Sequence, residues 1–317
     1  MNFRYLGHTG LQVSEICLGT MQFLWTTDEP NSNAVLDAFV DAGGTFIDTA
    51  DVYTRWAKGL HGGEAETVIG TWLKRRGNRE DLVLATKVRG RMWDGPNGEG
   101  LSRAHIVRAV EGSLRRLQTD YIDLYQTHSP DVNTPIDETL RALDDLVHQG
   151  KVRYAGCSNY NGYQLMEAVL VARHAGLNEY ISIQPHYSLV ERDNFEKNTY
   201  PVVRQLGLGI IPYSPLGRGF LTGKYRRGQP LPDSQRAAAV QSLLTDKFFN
   251  LLEQLEALGQ ARNKSIAQMA LGWLLTKPQV SAVIIGANTT EQLADSLGAA
   301  GLRLSDEEMQ KLDALSA

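Results

Sequence analysis

Short, almost uninterrupted apolar runs alternate along the chain with longer segments of amphipathic spacing. Such runs are typical of parallel strands that are buried on both faces. They predict eight strands, at residues 16–19, 45–48, 82–87, 121–125, 152–157, 180–184, 208–213 and 282–285. Between them, residues 102–117 and 136–147 place apolar side chains three and four positions apart, which gives each helix one apolar stripe. This alternation predicts a parallel sheet covered by helices.

Polar residues that could perform chemistry follow most of these runs. They are Asp48, Lys87, His128, Ser158, Asn159, Gln184 and Tyr213. In a (β/α)8 barrel the carboxyl ends of all eight strands open on one face, so side chains far apart in sequence meet in one pocket. We therefore expect an α/β fold, a (β/α)8 TIM barrel, with residues 1–317 forming one domain. An N-terminal β-hairpin around residues 8–10 and extra loop and helix elements after Tyr213, at the active face, are expected additions.

Composition argues against several classes of protein. The 317 residues carry a formal net charge of -4, which provides no general attraction for nucleic acid. Cys17 and Cys157 both lie in apolar runs, and so few cysteines indicate a reducing compartment. No apolar stretch reaches the roughly 18 residues of a membrane span. We expect a cytoplasmic protein with no nucleic-acid partner, no membrane partner and no metal site.

Four ionisable residues near strand ends suggest acid–base chemistry. A tyrosine such as Tyr53 has an ordinary pKa of about 10, so it is a poor proton donor at neutral pH unless a cation stabilises its phenolate. Lys87 is the candidate cation, and Asp48 would balance the charge of that lysine. His128 could donate a hydrogen bond to the carbonyl oxygen that Tyr53 protonates. Each residue alone has a structural explanation, but burying four together is costly unless they serve a function.

Five segments carry sequence motifs that contain these residues. They are F-I-D-T-A at 46–50, A-T-K at 85–87, D-L-Y-Q-T-H-S-P-D at 123–131, G-C-S-N at 156–159 and P-Y-S-P-L-G-R-G at 212–219. Together they resemble the aldo-keto reductase superfamily, and the resemblance runs nearly from end to end. It implies reversible, NAD(P)H-dependent reduction of an aldehyde or ketone to an alcohol. Tyr53 would be the general acid, Lys87 and Asp48 would tune it, and His128 would orient the carbonyl.

The same resemblance implies a site for the nicotinamide cofactor. The residues implied at the nicotinamide are Ser158, Asn159, Gln184 and Tyr213. Those implied at the pyrophosphate are Ser214, Leu216, Arg218, Gly219 and Lys224. Those implied at the adenosine end are Gly286, Asn288 and Gln292. Amides and hydroxyls would fix the carboxamide, and Tyr213 would stack on the ring. Many relatives place lysine or arginine in the last segment to hold the 2'-phosphate of NADP, whereas this chain has no cation there. NADP(H) is the expected cofactor and NAD(H) is the alternative.

The substrate is expected to be a small carbonyl compound or alcohol, bound among side chains that rim the open face. The candidates for this pocket are Met21, Trp25, Trp56, Trp93 and Tyr160. Structural packing is an equally good explanation for each tryptophan. The sequence makes no prediction of an oligomer.

Two other functions are compatible with these residues. Some relatives serve mainly as cofactor-sensing, weakly catalytic subunits of larger complexes, such as potassium-channel β subunits. Lys87 could also form a Schiff base with a substrate, as in a barrel aldolase. Turnover that depends on reduced nicotinamide would favour the reductase over both alternatives.

Overall fold

The computed structural model of the chain describes residues 1–232 and 238–317. Its strands are β1 (Phe3–Tyr5), β2 (Gln12–Ser14), β3 (Ile16–Gly19), β4 (Phe46–Asp48), β5 (Val83–Val88), β6 (Ile122–Thr127), β7 (Val152–Ser158), β8 (Tyr180–Gln184), β9 (Gly209–Ile210) and β10 (Val283–Ile285). The first two strands form an antiparallel hairpin. The other eight form one parallel sheet, in which β3 to β9 lie side by side in chain order and β10 lies next to β3.

The parallel sheet closes on itself. Ile284 of β10 pairs with Cys17 of β3. On its other side, Ile210 of β9 bridges Val280, just before β10, and the Ser281 N–H donates to the Ile210 carbonyl. The fold is therefore a (β/α)8 TIM barrel, which confirms the prediction from the alternating pattern.

The N-terminal hairpin covers the end of the barrel at which the strands begin. Leu6 and Val13 are fully buried in the apolar cluster inside the barrel. The Ser281 hydroxyl, just before β10, donates to the Tyr5 carbonyl. The predicted hairpin is confirmed, and it leaves the opposite end of the barrel open for a site.

Helices surround the barrel. They are α1 (Glu29–Asp41), α2 (Glu64–Arg76), α3 (Arg103–Leu117), α4 (Ile136–His148), α5 (Gly162–Ala175), α6 (Tyr200–Leu206), α7 (Asp246–Arg262), α8 (Ile266–Thr276), α9 (Thr290–Leu297) and α10 (Asp306–Ser316). The helices predicted at 102–117 and 136–147 correspond to α3 and α4. The Ser102 side chain caps α3 by accepting from the His105 N–H. Within the described residues, no helix has the length and apolar character needed to cross a lipid bilayer.

The long connection between β9 and β10 contains the predicted extra elements. It includes two short 3-10 segments, Gly217–Thr222 and Ala238–Leu243, followed by α7. β9 itself is shorter than the strand predicted at 208–213. Pro212 lies in that stretch and has no N–H to donate to a neighbouring strand.

An ion pair joins β5 to β6 near the closed end of the barrel. Arg79 Nη2 lies 2.7 Å from Asp123 Oδ2, and the same oxygen accepts from the Leu84 N–H at 2.9 Å. Arg79 also donates to the carbonyls of Leu82 and Tyr121. Because both charged side chains are largely buried, this group fixes the two strands that carry candidate site residues at their other ends.

We expect Asp123→Ala to lower the free energy of unfolding by about 2–3 kcal/mol, since it leaves the largely buried Arg79 guanidinium and the Leu84 N–H without their acceptor. Urea denaturation followed by circular dichroism measures the change. Asp120→Ala removes an exposed carboxylate and should change stability by less than about 0.5 kcal/mol. Equal effects of the two variants would contradict a structural role for the Asp123 pair.

Candidate active site

Four of the predicted residues meet at the open end of the barrel, around the ammonium of Lys87. Lys87 Nζ donates to Asp48 Oδ2 at 2.5 Å, to the Tyr53 hydroxyl at 3.0 Å and to the Thr49 carbonyl at 2.9 Å. Asp48 and Lys87 are buried, and Tyr53 is 9% exposed. The ring of His128 lies edge-on to that of Tyr53, with centroids 5.9 Å apart. The structure thus brings all four predicted catalytic residues together.

Strand register explains this convergence. Side chains alternate along β5, so Lys87 points to the same side as Val83 and Ala85, which pack inside the barrel. Asp48 is the last residue of β4 and pairs with Ala85. The lysine stem therefore rises beside Asp48, and the turn after β4 brings Tyr53 over the same ammonium.

The carboxylate of Asp48 is satisfied on both oxygens. While Oδ2 accepts from Lys87, Oδ1 accepts from Gln126 Nε2 at 3.1 Å and from Gln184 Nε2 at 2.9 Å. A buried ion pair is favourable when its remaining lone pairs find donors, and the two amides supply them here. Gln126 is not among the residues predicted from the sequence. Its position two residues before His128, at the end of β6, would have indicated that it faces the barrel interior.

The pKa values of Lys87 and Tyr53 are both raised. Burial acts to lower the pKa of Lys87, but the charges of Asp48 and Tyr53 outweigh it, so the ammonium stays protonated. For Tyr53, burial raises the pKa by more than Lys87 lowers it. We expected Lys87 to favour the phenolate, and it contributes in that direction. The net shift keeps the phenol protonated until a reaction withdraws its proton.

His128 is a neutral imidazole at physiological pH. Burial, together with the positive charges of Lys87 and Arg89, lowers the pKa of His128 to about 3. A neutral imidazole carries one N–H, so the ring can donate one hydrogen bond at the mouth of the barrel.

The residues predicted at the nicotinamide end form one hydrogen-bonded group. The Ser158 hydroxyl donates to the Gln184 carbonyl at 2.7 Å, and Asn159 Nδ2 donates to the Ser158 hydroxyl and to the His128 carbonyl. The Tyr213 hydroxyl donates to Asn159 Oδ1 at 2.9 Å. Because Gln184 Nε2 is used by Asp48, its Oε1 is the amide atom left to meet a carboxamide.

The ring of Tyr213 provides the clearest test of fit for a flat cofactor ring. His186, which the sequence analysis did not identify, stacks on one face of Tyr213 at 5.1 Å and an interplanar angle of 9°. No other ring within residues 1–232 and 238–317 stacks on Tyr213. Tyr213 is held on one side by this stack and at its hydroxyl by Asn159.

The loop predicted to cover the pyrophosphate follows Tyr213 directly. It contains Ser214, Leu216, Arg218, Gly219 and Lys224. Arg218 and Gly219 have positive φ angles of 56° and 96°, and the Gly219 N–H donates to the Leu216 carbonyl. The Arg218 guanidinium donates to the Ala239 carbonyl at 3.2 Å and lies 3.9 Å from Glu191. A Cβ added at Gly219 would lie 3.7 Å from Lys224 Nζ, so both cations belong to this compact loop.

The segment predicted to hold the adenosine end lies at the start of α9. Asn288 Oδ1 accepts from the Thr26 hydroxyl, and the Asn288 N–H donates to Gln292 Oε1. A Cβ added at Gly286 would come within 3.1 Å of the Gln22 amide, so the backbone there is closely packed. The Asn288 side chain connects this segment to the loop after β3.

The structure divides the predicted substrate residues into two groups. Trp25 and Trp56 form an edge-to-face pair with centroids 5.5 Å apart, and Trp56, which is 49% exposed, lies 6.1 Å from the Tyr53 ring. Met21, in the same loop as Trp25, is partly buried against the outer core. These residues form an aromatic wall next to the candidate acid.

Trp93 and Tyr160 do not join that wall. The ring of Trp93 packs on His105 and under the Arg108 guanidinium, both on α3. Tyr160 is 5% exposed, and its hydroxyl lies 3.4 Å from that of Tyr180. Both rings therefore have packing partners away from Tyr53 in the described part of the chain.

Comparison with known proteins agrees with this geometry. The model of the Aldo/keto reductase family matches residues 15–317. The chain belongs to the aldo/keto reductase family. It is 40% identical to "Uncharacterized oxidoreductase YrpG" of Bacillus subtilis (strain 168), over 99% of this chain and 95% of that protein. The family and this relative support a general oxidoreductase role, and as a family aldo/keto reductases use NAD(P)H.

Two plant relatives in this family carry a different name. The chain is 35% identical to "Probable voltage-gated potassium channel subunit beta" of Oryza sativa subsp. japonica, over 99% of this chain and 96% of that protein. A protein of the same name from Arabidopsis thaliana is 33% identical over 94% of this chain and 91% of its own length.

We expect the His128 ring to stay neutral down to about pH 4. The folded pKa of about 3 lies below the ordinary value near 6.5, so between these values the unfolded state binds a proton that the folded state does not. His128 should therefore make the fold less stable as the pH falls through this window. Histidine ring NMR, assigned by comparison with His128→Gln, measures the titration, and the exposed His174 serves as the internal control. A His128 ring that titrates near pH 6.5 would contradict this electrostatic environment.

Proposed function

We propose that this protein reduces aldehydes or ketones to alcohols, reversibly, with a reduced nicotinamide dinucleotide as the hydride donor. The observation that carries the proposal is the position of the Tyr53 hydroxyl, 3.0 Å from an ammonium that is itself held by Asp48. When bound, the cofactor supplies a hydride to the carbonyl carbon. Tyr53 supplies the proton to the carbonyl oxygen, and the products are the alcohol and the oxidised nicotinamide.

Lys87 makes this proton transfer feasible. The Tyr53 phenol is protonated in the buried site, so it is in the right state to act as an acid. As the proton leaves, negative charge develops on an oxygen that already accepts a hydrogen bond from the Lys87 ammonium. A fixed cation at the position where charge develops lowers the barrier without reorganisation of solvent.

His128 and Asp48 fix the geometry of the reaction. The neutral His128 ring can donate its one N–H to the same carbonyl oxygen, next to Tyr53. Asp48 holds the charge and the position of Lys87, and the amides of Gln126 and Gln184 hold Asp48. Hydride transfer requires the reacting atoms to stay aligned within a few tenths of an ångström, and this network supplies that rigidity.

NADP(H) is the proposed cofactor, with NAD(H) as the alternative. Ser158, Asn159 and the open face of Tyr213 would hold the nicotinamide. Arg218 and Lys224 would lie near the pyrophosphate. Residues 284–298 contain no lysine or arginine, which leaves a 2'-phosphate without a charged partner from this segment and supports the alternative.

A second candidate function is a cofactor-sensing, weakly catalytic subunit of a larger complex. The names of the rice and Arabidopsis relatives favour it, because their similarity extends over almost the whole chain. The complete arrangement of Tyr53, Lys87, Asp48 and His128 supports the enzyme as the first choice.

We also propose that residues 1–317 form a single domain and that the protein acts in the cytoplasm. One apolar cluster extends from Ile16 to Leu312 between the barrel and its helices, which supports the first statement. Cys17 and Cys157 are buried and unpaired, which supports the second.

We expect Tyr53→Phe to lower turnover of 4-nitrobenzaldehyde by about 10²-fold or more, because the carbonyl oxygen loses its proton donor while the barrel keeps its shape. Lys87→Met should have an effect of similar size. Oxidation of NADPH at 340 nm measures turnover, and quenching of tryptophan fluorescence measures cofactor affinity, which should change little.

Tyr5→Phe removes an exposed hydroxyl and is the matched control. Near-normal turnover by Tyr53→Phe would refute the assigned acid. Cofactor binding by the wild-type protein without turnover of a broad carbonyl panel would favour the sensing subunit.

We expect Asn288→Arg to tighten NADPH relative to NADH by about tenfold, since it adds a charge-assisted hydrogen bond where the 2'-phosphate would lie. Fluorescence titration with both cofactors gives the ratio of dissociation constants. Asn288→Gln keeps the site neutral and should leave the ratio unchanged. A ratio that Asn288→Arg does not alter would show that the phosphate binds elsewhere.

A further inference from the structure

Arg89 lies at the mouth of the barrel, two residues after Lys87. Val88, between them, packs outward into the core beneath the helices. Arg89 follows the last residue of β5 and has a positive φ angle of 143°, so the strand register ends there. Its positive charge acts on His128 and on Asp131, and it therefore lies within electrostatic range of both side chains. The backbone N–H of His128 donates to the Val88 carbonyl at 2.9 Å, so the backbone pairing of β5 and β6 continues to the level of Arg89. Arg89 therefore stands beside His128 at the entrance to the candidate active site.

The guanidinium of Arg89 has no partner among the described residues. Its Nε is buried and makes no hydrogen bond, and no carboxylate within residues 1–232 and 238–317 lies within 4.0 Å of the group. A guanidinium carries five N–H donors and stays charged at any pH of interest. Half-burying such a group without an acceptor is unfavourable, so an anion that accepted its hydrogen bonds would stabilise it.

Three other half-buried arginines have carboxylate partners. Arg79, Arg116 and Arg192 each have a carboxylate oxygen within 2.7 Å. The unpaired state of Arg89 is therefore not the usual condition of a half-buried arginine in this protein.

Asp131 is the carboxylate whose charge interacts with Arg89, and both of its oxygens already accept hydrogen bonds from other groups. Its Oδ2 accepts from the Leu101 N–H and the Thr134 hydroxyl, both at 2.8 Å, and its Oδ1 accepts from the Asn133 N–H. Backbone and side-chain hydrogen bonds, with a contribution from Arg89, lower the pKa of Asp131 although burial opposes this. Asp131 thus acts on Arg89 through space, and the guanidinium remains free to bind another anion.

We propose that Arg89 binds a carboxylate of the substrate, so that the preferred substrates are oxo acids: aldehydes or ketones that also carry a carboxylate. A planar guanidinium matches a carboxylate with two parallel hydrogen bonds. Asp48 pairs with Lys87 by a direct hydrogen bond, whereas Arg89 has no carboxylate within 4.0 Å among the described residues and can take one from a substrate. The aromatic wall of Trp25 and Trp56 suits the apolar part of such a molecule. This inference rests on the proposed reductase function.

The test compares substrates that differ only in charge. The isomeric 2-, 3- and 4-carboxybenzaldehydes are measured against their methyl esters with NADPH and NADH. We expect the wild-type kcat/KM for the best acid to exceed that for its ester by about tenfold or more. Arg89→Met should abolish this preference by raising KM for the acid, with kcat and the ester kinetics nearly unchanged. Arg89→Lys should retain part of the preference, because it keeps the charge but not the planar geometry.

Arg91→Met is the matched control, because Arg91 lies in the adjoining loop and is paired with Glu99. It should leave the preference intact. If Arg89→Met does not fold, Arg89→Lys and the loss of the wild-type preference at high salt decide the question. A wild-type enzyme without preference for the acids, or a preference that survives in Arg89→Met, would overturn the proposal while leaving the reductase function in place.

Benzoate binding gives a readout that does not require turnover. Isothermal titration with benzoate, with and without NADP⁺, should show binding that Arg89→Met weakens by about tenfold or more. If the wild-type protein reduces none of the aldehydes, the proposed function fails, and the benzoate titration alone decides on Arg89. Equal benzoate affinity in wild type and Arg89→Met would then overturn the carboxylate site.

Discussion

The buried ion pair between Lys87 and Asp48 is the interaction on which the site depends. Burying two charges inside a barrel costs free energy because both lose their water. Hydrogen bonds offset that cost: the Lys87 ammonium donates to Asp48 and to the Thr49 carbonyl, and Asp48 also accepts from Gln126. Because the pair is satisfied on all sides, the ammonium has a fixed position and a raised pKa. Burial and this fixed cation together set the pKa values of Tyr53 and His128.

The network around Asp48 also joins the residues proposed for catalysis to those proposed to hold the nicotinamide. Gln184 uses its side chain to hold Asp48 and its backbone carbonyl to accept from Ser158. Ser158 in turn accepts from Asn159, which accepts from Tyr213. A displacement of Asp48 at one end of this chain of hydrogen bonds would be transmitted to Tyr213 at the other end. Such coupling suits a reaction that needs hydride and proton transfer to occur at one carbonyl.

The loop after β3 contacts two separate parts of the open face. The loop after β3 contacts the start of α9 through Thr26 and Asn288, and it contacts Trp56 through Trp25. One loop thus touches both the segment proposed to hold the adenosine end and the aromatic wall next to Tyr53. The Arg89 guanidinium lies within the electrostatic reach of His128 at the same mouth, so cofactor, acid and the proposed substrate anion would share one opening.

The sequence by itself determined the barrel, the hairpin and the residues of the Lys87 group, since apolar periodicity and polar strand ends are local properties that follow from strand geometry. The sequence-based prediction did not include Gln126, His186 or Arg89, and it did not foresee that burial outweighs Lys87 in setting the pKa of Tyr53. It also did not reveal that the ring of Trp93 packs on His105 of α3 and that of Tyr160 on Tyr180; their place in the substrate pocket stays a prediction. These outcomes depend on which side chains meet across strands and on how much water each one loses. Partners and desolvation are set by the closed barrel as a whole, so only the tertiary structure could decide them.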